Sequence, residues 1–226
     1  MSRCHFLLMV AALLLWTPSL RAGDQDAGDD GGETDEGEQD QPDHRGFFAR
    51  VTPGVGWSWI RARGVMDPLP GLLRNEDPGH NTVALGVAGD LGGGIIRNLA
   101  LHGGVLFEKM ILRDRYPNLM TFNLFGFGLG LTYYFTPAEL YLTGHIRFVA
   151  MLSSFPDVVC DRYWIDTFEW YRGPGFTLQF GKEWFHDADD ESAAGLGLQV
   201  NYNRLYGDDV IFNYVSVLLV VTVTKF

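Results

Sequence analysis

Residues 122–135 read FNLFGFGLGLTYYF, and the alternation in that stretch decides the fold. Phe125, Phe127, Leu129, Leu131 and Tyr133 share one face of an extended chain, while Gly126, Gly128, Gly130 and Thr132 share the other. Side chains in a strand point alternately to opposite faces, so this period of two marks a strand rather than a helix. A soluble sandwich or a lipocalin-like barrel also alternates, but it buries the bulky apolar set and shows charge to water. Here glycine and polar residues share one face, which suits a crowded interior, and the large apolar residues are left for lipid.

Seven further segments repeat the pattern, at about Phe47–Ile60, Asn81–Gly92, Asn98–Glu108, Glu139–Leu152, Gly173–Trp184, Ala193–Leu205 and Ile211–Phe226. Each is long enough for a tilted membrane strand, which needs about 9–11 residues. No segment resembles a spanning helix, and Val215 to Val223 is rich in the β-branched residues that favour strands. The expected fold is all-β: an eight-stranded antiparallel up-and-down transmembrane β-barrel. The small and polar faces carry Arg50, Asp90, His102, His145, Arg147, Gln179 and Asn201, which are therefore expected in the interior. Buried charges need partners, so these residues are expected to form a salt-bridged, hydrogen-bonded polar plug rather than a water channel.

The connections alternate in length. Gaps at about Arg61–His80, Lys109–Thr121, Ser153–Arg172 and Tyr206–Val210 are mostly long; those at Gly93–Arg97, Thr136–Ala138 and Phe185–Ser192 are short. Long extracellular loops and short periplasmic turns have this asymmetry, and eight strands then put both termini in the periplasm. Aromatic residues gather at both strand ends. Phe47, Phe48, Tyr133, Tyr134, Phe135, Trp184, Phe185 and Phe226 mark one girdle; Trp57, Trp59, Phe107, Trp170, Tyr171, Phe212 and Tyr214 mark the other.

Residues 1–22 have the form of a secretory signal peptide: Arg3, an apolar run from Phe6 to Trp16, and a small-residue region ending at Ala22. Between Gly23 and His44 there are ten acidic residues and no Lys or Arg. That stretch (23–45) is too polar to bury a core and reads as a disordered periplasmic tail. It also accounts for most of the net charge of −11, because the barrel region 46–226 is close to neutral. Once Cys4 leaves with the signal, Cys160 has no partner for an intramolecular disulfide and reads as a spectator thiol.

The terminal stretch Val221–Thr222–Val223–Thr224–Lys225–Phe226 resembles the last strand of bacterial outer-membrane proteins, which usually ends in a phenylalanine read by the barrel-assembly machinery. The architecture over roughly Arg45–Phe226 resembles the OmpA/OmpX-type eight-stranded barrels of Gram-negative bacteria. Residues Gly181 to Phe185, followed by Ala193 to Gly197, resemble a motif in uncharacterised outer-membrane barrels of myxobacterial type. The resemblance implies an outer-membrane location, contact with lipid and lipopolysaccharide, Phe226 as assembly signal, and a porin-like monomer. Phe226 has the opposite parity to the lipid-facing Val215, Val217, Leu219, Val221 and Val223. Either a bulge intervenes or this strand is also apolar on its inner face.

Chemistry is sparse. A lipid A hydrolase or acyltransferase would need a nucleophile beside a histidine; Ser153 and Ser154 could meet only His80, through loops. No phosphate loop, paired cysteines or sequence-local metal spacing appears, so no catalytic residue, metal, cofactor or nucleic-acid partner is expected. Arg61, Arg63 and Arg74 are candidates for lipopolysaccharide phosphates or are simply solvated. Trp164, Phe168, Trp170 and Tyr171 suit an adhesive surface or a membrane rim. The expected function is structural, in membrane integrity or surface adhesion; a narrow passive pore and a lipid A-modifying enzyme are the alternatives.

Overall fold

Eight strands form along the alternating segments: β1 (Phe47–Gly64), β2 (His80–Ile96), β3 (Leu99–Arg113), β4 (Leu119–Phe135), β5 (Leu140–Ser154), β6 (Phe168–Phe185), β7 (Ser192–Tyr206) and β8 (Val210–Lys225). The computed structural model describes residues 46–64, 79–96, 98–113, 119–135, 138–154, 168–185, 192–208 and 210–226. The signal peptide, the acidic tail, Arg74, Cys160 and Trp164 lie outside those residues. Each strand pairs antiparallel with its sequence neighbour, and β8 pairs with β1, so the sheet closes into a barrel without a free edge. Several strands run further toward the long connections than the alternation alone predicts. β1 continues to Gly64 and β6 begins at Phe168. These ends mix glycine with charge and so read as loop, yet their neighbours supply ladder partners.

The register fixes the geometry. From Arg50 the paired residues run through Asp90, Gly104, Gly128, Arg147, Gly175, Asn203 and Tyr214, and the circuit re-enters β1 at Ile60, ten residues beyond its start. Ten residues of offset over eight strands tilt the strands by about 40°. A barrel of that size has an interior that side chains can just fill.

The outer surface is apolar and sharply banded. On β6, Arg172 and Lys182 both face outward, and between them the outward positions are Pro174, Phe176, Leu178 and Phe180. Ten residues rising ~3.3 Å each, inclined at about 40°, span about 25 Å, the height of the apolar band of a transmembrane barrel. Leu129 and Ile146 in the same band are both 67% exposed, so bulky apolar groups cover a surface that water would penalise. Trp57, Trp170 and Tyr206 rim this band at the end of the long connections, and Phe47, Tyr133, Phe135 and Trp184 rim it at the end of the termini.

Not every aromatic residue expected in the girdles belongs there. Phe48, Tyr134, Tyr171, Phe212 and Tyr214 are buried inside the barrel. The cause is parity: each is one residue, or an odd number, away from an outward neighbour on its strand. Position along the strand says which rim a ring is near, but only parity says which side it faces.

Phe226 is settled in the same way. The β1–β8 and β7–β8 registers run without a shift, so no bulge reverses β8. Instead its inner face is itself apolar, with Leu218 and Val220 buried. Phe226 packs inward against Phe48 and Tyr134, at ring-centroid distances of 6.0 and 5.5 Å. The irregularity in the ladder falls elsewhere, between Gly94 and Ile96 of β2.

At the same end, the turn from β4 to β5 places Glu139 at φ 56°, a left-handed conformation that costs a residue with a Cβ. Two contacts from β6 hold it there. The Glu183 N–H donates to the Glu139 carbonyl at 2.9 Å, and Lys182 Nζ lies 3.1 Å from Glu139 Oε2.

Candidate functional site

The barrel interior is divided into levels. At the end of the termini, Arg50 is enclosed by a polar and aromatic cage. Its guanidinium lies 3.2 Å from Glu183 Oε1 and donates to Tyr134 Oη at 2.6 Å, Thr143 Oγ1 at 2.9 Å and Thr224 Oγ1 at 3.1 Å. Thr224 in turn donates to Glu183 Oε1 at 2.7 Å. The rings of Phe48, Tyr134 and Tyr141 surround the guanidinium, with centroids 5.1, 5.8 and 4.5 Å from its central carbon. Removed from water, an arginine stays charged and is costly to bury unless its donors are met; here carboxylate, hydroxyls and ring faces share the task.

Above the cage, Asp90 of β2, His102 of β3 and His145 of β5 converge. Asp90 Oδ1 is 2.9 Å from His145 Nε2 and 3.6 Å from His102 Nδ1. The two imidazoles meet edge to face, with centroids 4.9 Å apart. His102 Nε2 bonds Thr132 Oγ1 at 2.9 Å, and Thr132 bonds Thr143 at 2.8 Å, which links the trio to the Arg50 cage.

A second network lies higher. Arg147 donates to Thr177, Thr177 donates to Asn201 Oδ1 at 2.7 Å, and Asn201 Nδ2 reaches Glu108 Oε2 at 3.3 Å and Ser216 at 3.0 Å. Gln199 joins at Asn201 Oδ1, 3.0 Å away, and Tyr214 Oη donates to Glu108 Oε1 at 2.6 Å. Gln179 instead turns toward the cage and donates to Tyr141 Oη at 2.8 Å.

All seven residues expected inside are therefore found buried: Arg50, Asp90, His102, His145, Arg147, Gln179 and Asn201. They form several connected groups rather than a uniform plug. The half of the interior near the long connections is mainly apolar, with Ser58, Thr82, Ser153 and Asn203 buried there as well. Ile60, Met110, Phe122, Met151, Leu205 and Phe212 pack there in one buried apolar cluster. A mostly polar interior was the wrong expectation for that half, because the inward parity of the strand extensions carries Met, Leu and Phe.

Two interior acids escape the alternation argument as first applied, Glu108 and Glu183, both no more than 1% exposed. The signal for them was present: Glu108 shares parity with His102, and Glu183 with Gln179. Each sits at a predicted strand end, where an acid reads as a loop residue. Of the serine–histidine alternative, Ser153 Oγ is buried and makes no hydrogen bond among the described residues, and the Ser154 side chain lies outside those described.

The closed ring of eight strands and the 25 Å apolar band define a transmembrane β-barrel of the outer-membrane kind. No protein-family model matches the chain, and no curated protein matches it in sequence. Among solved structures, it is similar to Ail, the attachment invasion locus protein of Yersinia pestis, solved with the heparin analogue sucrose octasulfate. The identity is 9%, the TM-score 0.45, and the match covers 77% of this chain and 98% of that one. Neisserial surface protein A is similar at 13% identity and TM-score 0.46, with 79% and 96% covered. OprG of Pseudomonas aeruginosa is similar at 10% identity and TM-score 0.39, with 81% and 97% covered. The fold itself rests on this chain's own ring of pairings.

Proposed function

We propose that this is a non-conducting, non-enzymatic outer-membrane barrel that supports membrane integrity and presents its long connections as a surface, with both termini in the periplasm. One observation carries the proposal: the interior is closed at two levels, by the Arg50 cage and by the apolar cluster around Phe122 and Phe212. A solute would have to displace a paired, buried arginine, which costs several kcal/mol. The outward Arg61 and Arg63, with Arg172 and Arg204 at the rim of the apolar band, lie at the end of the long connections and suit the phosphates of lipopolysaccharide. The apolar band supports a monomer bathed in lipid, and Phe226 is the signal offered to the barrel-assembly machinery.

The test combines gel mobility with conductance. Detergent-extracted protein is expected to migrate faster unboiled than boiled, and to give no stable conductance steps in planar bilayers. Reproducible steps would replace this reading with the narrow passive pore. A change in lipid A acylation caused by the protein, and lost in a Ser154→Ala variant, would replace it with the enzyme.

A further inference from the structure

We propose that Asp90, His102 and His145 bind one divalent transition-metal ion, of the zinc class, inside the barrel. The inference depends on the fold alone and is separate from the closed-barrel reading. Donor atoms of the three side chains, all buried, lie within 4.8 Å of one another. Around a tetrahedral ion with bonds of about 2.0–2.1 Å, neighbouring donors stand roughly 3.3 Å apart. Two of the three separations, 2.9 and 3.6 Å from Asp90 Oδ1, bracket that value, and the third lies within 4.8 Å, which a small turn of one imidazole closes.

Three details point to an ion rather than to a simple hydrogen-bonded trio. First, one carboxylate oxygen faces two ring nitrogens, and His102 Nδ1, the more distant, has no hydrogen-bond partner despite its burial. A cation between the groups satisfies both rings and the carboxylate together. Second, the other nitrogen of His102 is bonded to Thr132, which is itself braced by Thr143 and so by Arg50. Metal-bound histidines are oriented by such a bond from their far nitrogen. His145 Nδ1 has no such bond, so only one of the two imidazoles is braced from its far nitrogen.

Third, the surroundings make room. A Cβ on Gly104 would strike Asp90 Oδ1, and one on Gly130 would strike both imidazoles. Two positions that could carry bulk instead leave space for the converging side chains. Two imidazoles with one carboxylate suit zinc and its neighbours, whereas calcium and magnesium prefer oxygen alone. An ion here would tie β2, β3 and β5 together across the interior.

The experiment uses the full mature chain folded in detergent, stripped with chelator and re-equilibrated with zinc or cobalt(II). Asp90→Asn, His102→Gln and His145→Gln variants are compared after heat-shift gels confirm that each is folded. All carry the same acidic segment, so its weak cation binding cancels in the difference. The wild type is expected to retain about one zinc per chain and each folded variant to bind at least about tenfold more weakly. Cobalt is expected to give the intense visible absorption of a four-coordinate site. X-ray absorption on the zinc-loaded wild type is expected to show two imidazole ligands, and it decides the matter even if no variant folds. Equal zinc in wild type and folded variants, a six-coordinate aquo-like cobalt spectrum, or no imidazole scattering would overturn the site. The barrel's heat shift would be untouched by that failure.

Discussion

Replacing Glu183 with leucine is expected to destabilise the folded barrel by about 3–5 kcal/mol, the loss seen when one partner of a buried ion pair is removed. The size follows from what remains. Arg50 and Glu183 have side-chain exposures of 0% and 1%, so the arginine would keep its charge with no carboxylate in reach and little water to replace it. Tyr134, Thr143 and Thr224 would still accept its hydrogen bonds, but neutral acceptors do not neutralise it. Removing both charges tests the cause. An Arg50→Met/Glu183→Leu double variant is expected to recover most of the loss, because two apolar side chains leave no orphaned charge. Equilibrium urea unfolding in detergent or short-chain vesicles measures both. A Glu183→Leu cost below about 1 kcal/mol would mean that the aromatic cage alone holds the arginine.

A lipid-facing charge is expected to produce the second large effect. Leu178 lies near the middle of the β6 band between Arg172 and Lys182 and is 56% exposed. In a bilayer, Leu178→Arg is expected to cost about 2–4 kcal/mol, and Trp170→Arg, at the edge of the band, only about 0–1 kcal/mol from the charge itself. In a water-soluble barrel the same exposed leucine would accept arginine within about 0.5 kcal/mol. Folding into vesicles, followed by denaturant titration of both variants, therefore reads the depth of each position. Equal and small costs would remove the membrane from the description of this surface.

Much of this architecture is legible in the amino-acid sequence because the period of two repeats eight times with glycine on one side and bulk on the other. Strand number, order and the sidedness of Arg50, Asp90, His145 and Arg147 all follow from parity. Parity is less easily applied at strand ends. Tyr171 looks like a rim aromatic until β6 is known to run through it, Phe212 sits at the start of its strand where a ring reads as rim, and Glu108 and Glu183 sit at or beside the ends of their predicted strands, where an acid reads as a loop residue. The candidate metal site is illegible for another reason. Asp90, His102 and His145 come from three strands with no local spacing between them, and the registers of β2 to β5, in which His102 pairs with Gly92 and Gly130, and Gly130 with His145, bring them to one level. Which inward residues meet across the cavity is a property of closure, not of any single segment.

The two-sided apolar character of β8 has a consequence before the barrel exists. Once closed, the strand has β7 on one side, β1 on the other, lipid outside and Leu218 and Val220 within. In transit none of these is present. Val215 to Val223 then travels as an uncharged, proline-free, strongly β-prone stretch, the composition that seeds aggregation when left exposed. The chain's passage to the membrane is thus a race between closure at the β1–β8 seam and self-association of β8.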